Sequence, residues 1–515
     1  MKNRAIVVLL CVVQVGVQAA MLGGGPDFVS SKMAYDDTFY YLVPALNLWR
    51  DGSVTFDGVN RTNGVQFAWF AVVAALAAVQ DRMALLYLAL AACAALNAAS
   101  YILIWRVTRG TWAAVAASTA WFFLNTRTTF YISGKENSLH AFLFCLALAL
   151  IVERRSTTAV AIVSALAVMT RLDSAVFMAP LCVYAWQRNG RRMADLAALG
   201  GVSIVSAAVT LGGYYWMAGT LLPVSGMVKL GALANVRVDF YLRGLIRIAR
   251  YVFPLEVWRL VWPGAFFPAM SGLGVNLLLL GASVPAAVIV CRKVKRDDEA
   301  EMWMGRGLAL VLAVSTLIYN VFYTQSHVHA SYAIWYESPS FIACILLACM
   351  AAGWVKRING RALATGLLAL TLAVAGSTAI EFRAGAARGG ARNARLQAAE
   401  WMDEQEGAKF GSWNAGLLGF ASTRPVTNLD GLINSPGYWR DVLRASDVGS
   451  ATLGYLERAG IGYVVDMEGY IPGYIEARWQ RVTSFRDGEG MVIVVYRMER
   501  GDRDRDRDGE GICVR

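Results

Sequence analysis

The chain has 515 residues, of which 57% are hydrophobic and only 17% are charged, whereas a typical soluble domain carries about 25% charged residues. Its formal net charge is +11, but the Lys and Arg residues lie mostly in short joints between apolar stretches, where they set membrane topology. This composition excludes an ordinary soluble protein and argues against a nucleic-acid-binding protein. It indicates an α-helical polytopic membrane protein.

The chain begins with an apolar segment, MKNRAIVVLLCVVQVGVQAAMLGG, which has a basic start and small residues near Ala19 and Ala20. A cleaved signal peptide has the same features. Because many more apolar segments follow, the chain does not depend on this segment for export alone. We therefore expect a retained first transmembrane helix, with a signal peptide as the alternative.

Apolar segments of near-spanning length recur up to residue 380, each crossing needing roughly 20 residues. Lys and Arg cluster in alternate joints, and such joints prefer the cytoplasm. This alternation places the N terminus inside and everything after residue 380 outside, so the number of crossings must be odd. Eleven segments satisfy it, provided that 65–80 does not cross fully: 4–21, 83–105, 111–130, 138–152, 157–170, 174–187, 194–218, 271–291, 304–322, 338–356 and 361–380.

A pair of aspartates, Asp36 and Asp37, lies in the first outer loop, 22–64, before the aromatic-rich segment FYYLVPALNLW. One of them could cap a helix on the membrane surface, since a carboxylate accepts from the free N–H groups of the first turn. One cap needs one aspartate, however, and acidic groups at the lipid–water boundary are more often functional than structural. The pair therefore predicts a functional site on the outer face.

Three further segments bring polar side chains to the same outer level. They contribute, in chain order, Arg61, Asn63 and Gln66; Lys135, Glu136, Asn137 and His140; and Arg171 and Asp173. An ion pair of Arg171 with Asp173 or Glu136 could be a purely structural buried pair. The convergence of three segments at one depth favours a substrate site.

The second long outer loop, 219–270, is rich in cations, against the positive-inside tendency. Three of its arginines, Arg243, Arg247 and Arg250, are spaced to share one helical face. Such a helix could simply contact anionic lipid headgroups. The alternative is a site for a phosphate, for which Lys229 is the first candidate.

A later outer segment, QSHVHASYAIWYESP, contains His327 and His329. Two histidines two residues apart on a strand could bind a metal. We interpret them instead as residues that form loop hydrogen bonds or contact an acceptor.

The sequence becomes more polar from about residue 385. We therefore predict a membrane domain, 1–384, followed by a soluble α/β domain, 385–500. FGSWNAGLLGF, PVTNLDGLI, IGYVVDM, WQRVTSF and MVIVVYRM read as strands or strand–turn starts, whereas YWRDVLRA and SATLGYLERAG read as helices. Trp413, Tyr438, Trp439 and Trp479 could stack on sugars, or could be core or membrane-interface aromatics. The alternating charges of 501–515 predict a disordered tail.

Several of these segments together resemble one known family. Their order is DDTFYYLVPALNLWRDGSVTFDGVNRTNGVQFAWF, SGKENSLHAF, MTRLDSAVF and GTLLPVSGMVKL, and GSWNAGLLGFASTRPVTNLDGLIN is similar to the start of the family's soluble domain. The chain resembles the GT-C superfamily of bacterial membrane glycosyltransferases, in particular its arabinofuranosyltransferase-like subgroup. Related sequences commonly read Gly-Met-Glu where this chain has Gly134-Lys135-Glu136, and Arg-Pro-Glu where it has Arg171-Leu172-Asp173. These differences from the family pattern affect which sugar and which subfamily the resemblance implies.

The resemblance implies a donor and a reaction. The donor is a polyprenyl-phosphate sugar, possible sugars including arabinofuranose, and the acceptor is a glycan, lipid or protein of the cell envelope. The reaction takes place on the outer face of the bacterial inner membrane, among membrane lipids. In the family pattern the first loop aspartate, here Asp36, is the general base, with Asp37 orienting the acceptor or holding a divalent cation.

The cations have a role in the same scheme. Direct displacement at C1 inverts the anomeric centre, and the outgoing phosphate needs fixed positive charge. The candidate donor-binding residues are Lys229, Arg171, Arg243 and Arg247, and the candidate substrate-binding residues are Arg61, Asn63, Gln66, Glu136, Asp173, His327 and His329.

A protein of another class stays open, namely a transporter or flippase of a lipid-linked sugar. Intramembrane Arg171, Asp173 and Glu136 could form a relay in such a protein. However, the sequence lacks paired repeat halves with broken helices. Large outer loops and a soluble outer domain favour a surface-acting enzyme.

Overall fold

The computed structural model describes residues 2–108, 133–230 and 392–498, together with positions 115, 118, 119, 307, 308, 310–312, 314, 315 and 369. Besides short helical turns such as Pro26–Phe28 and Val29–Met33, the first described stretch contains four helices and the second contains five. Their bounds are α1 Lys2–Leu22, α2 Asp36–Asp51, α3 Phe67–Leu76, α4 Arg82–Val107, α5 Asn137–Val152, α6 Thr157–Thr170, α7 Ala175–Arg188, α8 Met193–Ala218 and α9 Val224–Leu230.

Local sequence accounts for several helix ends. Asp81 caps α4 by accepting from the Ala84 amide at 2.6 Å, and Ser156 caps α6 by accepting from the Ala159 amide at 3.2 Å. Gly52 ends α2 in the left-handed conformation, with φ of 69°, which a glycine adopts without steric cost. Arg171 is extended, with φ of −155°, and therefore ends α6 before a short 3₁₀ turn, Leu172–Ser174, leads into α7.

Three of the described helices are long and apolar enough to cross a membrane: Arg4–Leu22, Arg82–Val107 and Met193–Ala218. They coincide with three of the eleven predicted crossings. Helices α5, α6 and α7 occupy three more of the predicted segments but are shorter, with 16, 14 and 14 residues. The other five predicted crossings lie outside the continuously described residues.

The segment 65–80 forms only a short helix. Helix α3 has 10 residues and continues into a single 3₁₀ turn, Ala77–Val79. A 10-residue helix is about 15 Å long, half of the hydrocarbon thickness of a bilayer. The expectation that this segment does not cross fully agrees with that length.

Residues 392–498 fold into an α/β unit. Its helices are α10 Ala394–Glu404, α11 Ala415–Ala421 and α12 Val448–Arg458, and its strands are β1 Phe410–Ser412, β2 Val426–Asn428, β3 Tyr463–Met467, β4 Trp479–Arg486 and β5 Val492–Met498. Each strand matches a segment predicted from the sequence, although β4 extends one residue past WQRVTSF. Helix α12 begins two residues before the predicted helical segment SATLGYLERAG, and the other predicted helical segment, YWRDVLRA, overlaps the short helical turns Pro436–Tyr438 and Trp439–Leu443. The predicted boundary at residue 385 and the tail 501–515 lie outside the described residues.

The five strands form one sheet in the order β2-β1-β3-β5-β4. Strands β1, β2 and β3 are parallel, with Phe410 opposite both Val426 and Tyr463, whereas β5 is antiparallel to β3 and β4. The carboxyl ends of the three parallel strands therefore share one edge of the sheet. The loops that leave this edge reach α2 of the helical region, where Gly416 at the start of α11 touches Asp36.

Candidate functional site

The first turn of α2 presents the two adjacent aspartates to different surroundings. Successive residues on an α-helix are rotated by about 100°, so neighbouring side chains point in different directions. The Asp37 carboxylate accepts from Lys135 at 2.9 Å, and its side chain is 39% exposed. The Asp36 carboxylate faces α11 instead, and its side chain is 16% exposed.

The loop 133–136 carries Lys135 to Asp37. Gly134 has φ of 82°, and a Cβ there would lie 2.8 Å from Cγ2 of Thr38, so only glycine fits. Trp69 donates to the Gly134 carbonyl at 2.9 Å, and Thr38 donates to the Ser133 carbonyl at 2.6 Å. These bonds hold Lys135 inside the protein, where its side chain is 2% exposed.

A second group of charges lies beside the first. Nη1 of Arg171 donates to Glu136 at 2.9 Å, and Nη2 donates to Asp173 at 2.5 Å. The hydroxyl of Tyr41 donates to the other Glu136 oxygen at 2.9 Å. The side chains of Arg171 and Glu136 are only 3% and 5% exposed. Both predicted ion pairs of Arg171 are therefore present, and they form one buried network.

These charged groups line a single cavity. It contains the predicted site residues Asp37, Gln66, Glu136, Arg171 and Lys229, and also Tyr40, Tyr41, Gly64, Lys135, Ser225 and Leu432. Burial raises the pKa of Asp37, but the ion pair with Lys135 and the charge of Lys229 outweigh it and hold the pKa below its usual value. The Asp37 carboxylate is thus ionised in a cavity with three cations.

Asn63 and Arg61 lie away from the cavity lining. Nδ2 of Asn63 donates to the carbonyls of Tyr214, Thr220 and Leu222 at 3.1 to 3.2 Å, and its Oδ1 accepts from the Val224 amide at 2.9 Å. Asn63 therefore ties the loop before α9 to the rest of the protein. Because α9 carries Ser225 and Lys229, this loop sets the position of two cavity residues.

Arg61 donates to the Trp216 carbonyl at 2.5 Å. Gln66, from the same outer loop segment, lines the cavity. Among the described residues, the buried Oε1 of Gln66 has no hydrogen-bond partner. His140 is buried and contacts the Ser174 hydroxyl at 2.5 Å through Nε2. The predicted residues Arg243, Arg247, His327 and His329 lie outside the described residues.

The candidate sugar-stacking aromatics have structural surroundings. Tyr438 is buried and donates to the Leu429 carbonyl at 2.9 Å, and Trp479 belongs to the core of the α/β unit with Trp413 packed against it. The guanidinium of Arg444 lies 5.2 Å from the ring centre of Trp439. None of the four lines the cavity.

Several residues at the site were not singled out from the sequence. Tyr40, Tyr41, Ser225 and Leu432 lie inside the motifs on which the family resemblance rests. Their position in those motifs is the sequence signal that could have found them. Arg395 is different. Its guanidinium lies 4.0 Å from Asp36, but no sequence pattern connects two positions so far apart.

The two predicted metal ligands, Asp36 and Asp37, have separate partners in the described part of the chain. Across 2–108, 133–230 and 392–498, no group of three or more His, Cys, Asp or Glu side chains could hold a metal ion. Asp36 and Asp37, the predicted ligands, accept from different donors, Asp36 from backbone amides and Asp37 from Lys135.

No protein-family model matches the chain, and no curated protein sequence matches it. Among solved structures, the chain is similar to ArnT from Cupriavidus metallidurans in the apo state, with a TM-score of 0.53 and 13% identity over 96% of this chain and 98% of that one. ArnT from the same organism bound to undecaprenyl phosphate gives 0.49 and 15% over 95% and 97%. An Archaeoglobus fulgidus oligosaccharyltransferase in complex with Zn and sulfate gives 0.46 and 12% over 95% and 72%.

The likeness to apo ArnT extends over nearly the whole of both chains. The protein therefore has the fold of ArnT, which confirms the GT-C type of fold that the sequence motifs predicted. The eleven crossings and the separate C-terminal domain stay predictions. At this level of identity the likeness defines the fold alone. The reaction must be argued from the cavity.

Proposed function

We propose that the protein is an inverting membrane glycosyltransferase that transfers a sugar from a polyprenyl-phosphate donor to a cell-envelope acceptor. The observation that carries this proposal is the cavity of a GT-C fold in which one ionised carboxylate, Asp37, lies among Lys135, Lys229 and Arg171. A base for the acceptor and fixed cations for the phosphate are the two requirements of such a transfer.

We assign the general base to Asp37 rather than to Asp36. The Asp37 carboxylate lines the cavity and is the more exposed of the two, whereas the Asp36 oxygens accept from the amides of Gly416 and Leu417. In the reaction, the acceptor hydroxyl oxygen attacks C1 while Asp37 takes its proton. The bond from C1 to the phosphate oxygen breaks, and the anomeric centre inverts.

The cations receive the leaving group. Lys229 on α9 and Lys135 are the nearest positive charges to Asp37, and a donor phosphate would compete with Asp37 for them. Such competition would raise the pKa of Asp37 towards its usual value and make it a stronger base when the donor is bound. Arg171 already holds Glu136 and Asp173, so we assign it to the cavity wall beside the donor.

The finer details follow the sequence. The resemblance favours a pentofuranose such as arabinofuranose as the sugar, a glycan, lipid or protein as the acceptor, and the outer face of the bacterial inner membrane as the location. Arg243, Arg247, His327 and His329 stay candidates for donor or acceptor contacts. The competing function is a flippase of a lipid-linked sugar, because a buried ion network could also serve a relay.

The test is sugar transfer by detergent-purified protein from a panel of synthetic polyprenyl-phosphate sugars, with mass analysis of the products. Asp37→Asn should lower kcat about 10²–10⁴-fold, the usual cost of losing a general base, while donor binding persists. Lys229→Ala should mainly raise the donor KM. The matched control is Asp51→Asn, which makes the same change at the other end of α2, where Asp51 pairs with Arg50 on the surface.

Three results would contradict the proposal. Near-normal turnover by Asp37→Asn would remove the base assignment, and an unchanged donor KM in Lys229→Ala would move the phosphate site elsewhere. Flux of lipid-linked sugar in liposomes without any transfer product would favour the flippase.

A further inference from the structure

The second aspartate, Asp36, joins the two regions of the molecule. The amide of Gly416 donates to its Oδ2 at 2.9 Å, and the amide of Leu417 donates to its Oδ1 at 3.0 Å. Both amides belong to the first turn of α11, whose N–H groups have no partner within the helix. The carboxylate of a helix in the membrane region thus caps a helix of the α/β unit, with both of its oxygens engaged.

The contact around this cap leaves no room for a shift. A Cβ added to Gly416 would lie 2.1 Å from the backbone oxygen of Asp36, and one added to Gly64 would lie 1.9 Å from the Leu432 carbonyl oxygen. The rings of Phe39 and Phe420 are 4.7 Å apart, centre to centre. Backbone therefore meets backbone at two points.

Further polar contacts flank the cap on both sides. The Thr427 hydroxyl donates to Asp57 at 2.9 Å, and Nδ2 of Asn428 donates to the Tyr40 hydroxyl at 3.1 Å. At the far end of α11, Arg82 donates to the carbonyls of Phe420 and Ser422 at 2.8 and 2.7 Å. Asp36 is the charged centre of this surface, and Arg395 lies 4.0 Å from it.

The docked unit forms part of the cavity. The loop that follows β2 brings Leu432 into the cavity lining, together with Asp37 and Lys229. The same loop carries Asp430, whose charge is close enough to interact with both Asp36 and Asp37. The shape of the cavity on this side therefore depends on where the α/β unit sits on α2.

We propose that Asp36 is a positioning residue, which fixes the α/β unit on α2 so that the loop 428–434 forms the acceptor-side wall of the cavity. The role of Asp36 towards the acceptor rests on the proposed function, whereas the docking of the α/β unit rests on the contacts alone. It gives the adjacent aspartates separate tasks. Asp37 acts on the acceptor, and Asp36 sets the wall that the acceptor meets.

The docking is tested without substrate, by hydrogen exchange of the α11 amides in the full-length protein. Asp36→Ala removes both acceptors and should speed exchange of the Gly416 and Leu417 amides about tenfold or more. Asp36→Asn keeps one acceptor oxygen and should give an intermediate rate. If Asp36→Ala does not fold, the exchange rates of Asp36→Asn still test the docking. Asp447→Asn is the matched control, because Asp447 caps α12 away from this surface and Asn caps equally well.

The positioning role is tested by kinetics. Asp36→Asn should raise the acceptor KM about tenfold and leave the donor KM unchanged, and it should preserve the acid limb of the pH–rate profile, which reports the base. Arg82→Ala, which loosens the other end of α11, should share the faster exchange and the higher acceptor KM. Loss of the acid limb with unchanged exchange would identify Asp36 as the base and overturn the inference.

Two further outcomes are also decisive. Faster α11 exchange with an unchanged acceptor KM would show that docking does not shape the acceptor site, and this too would overturn the inference. If no donor supports transfer, the proposed function fails, whereas the exchange measurement still decides whether Asp36 holds the α/β unit.

Discussion

The membrane region and the α/β unit each bury an acid, and they stabilise it in different ways. Glu136, 4% exposed, accepts from the Arg171 guanidinium and the Tyr41 hydroxyl. Asp466, 1% exposed, accepts from three backbone amides, the Ser412 hydroxyl and the Asn414 side chain. One acid is compensated mainly by a charge, and the other only by dipoles.

This difference bears on what each acid can do. An acid compensated by a cation belongs to a network that an anionic ligand can re-pair, because the cation can move its bonds from one anion to another. The lone pairs of an acid held by several fixed amides are already occupied by hydrogen bonds within the fold. By this criterion Asp37, paired with Lys135, belongs with Glu136. Asp36 is closer to Asp466, because both of its oxygens accept from the amides of Gly416 and Leu417, although Arg395 also lies 4.0 Å away.

The strongest challenge to the comparison is removal of the cation. Arg171→Met leaves Glu136 and Asp173 buried without their positive partner, which should cost about 3–5 kcal/mol in stability. We expect little folded protein after detergent extraction, measured by size-exclusion chromatography and thermal unfolding. Arg50→Met is the control, since the exposed pair with Asp51 contributes at most about 1 kcal/mol. A stable Arg171→Met protein would show that Glu136 is compensated in another way.

Removal of one acceptor oxygen tests the α/β unit. In Asp466→Asn the new amide group can replace either oxygen, but each oxygen accepts from at least two donors. At least two donors therefore lose their acceptor, at a cost of about 2 kcal/mol or more. We expect a lower thermal midpoint, whereas Asp447→Asn, at an exposed cap, should change it little. Equal midpoints for the two variants would remove the distinction between fixed dipoles and charge.

Much of this arrangement follows from local sequence. The strands of the α/β unit follow from apolar runs between turn residues, and the pairing of Arg171 with Asp173 from their spacing. Asp37 and Lys229 were predicted to serve one reaction, Asp37 at the acceptor and Lys229 at the donor phosphate. From the sequence, Asp36 was predicted to be the base and Asp37 its partner. The reverse assignment that we propose depends on Gly416, 380 residues from Asp36, and no local pattern indicates that contact. Asn63 was predicted to bind substrate, but its hydrogen bonds to the loop before α9 are equally nonlocal.

The smallest effect concerns an acid whose compensation is outweighed by burial and by neighbouring negative charges. Asp430 accepts from the Leu432 amide at 2.7 Å, but burial, together with the charges of Asp37 and Asp36, raises its pKa to about 7. Because the folded state binds this proton more tightly than the unfolded state, Asp430 lowers stability as pH rises from about 4 to 7. Above pH 7 the loss is complete.

Asp430→Asn keeps an oxygen for the Leu432 amide and removes the charge. Its thermal midpoint should therefore match that of the wild type near pH 4 and exceed it at pH 8, because only the wild type carries the uncompensated charge at high pH. Asp441→Asn is the control: the ion pair with Arg440 lowers the pKa of Asp441, so its removal should bring no gain at pH 8. An equal rise in thermal midpoint for Asp430→Asn at both pH values would mean that Asp430 is not protonated in the folded protein. Its charge, near Asp37 and Asp36, would then be compensated by cations that reach this loop.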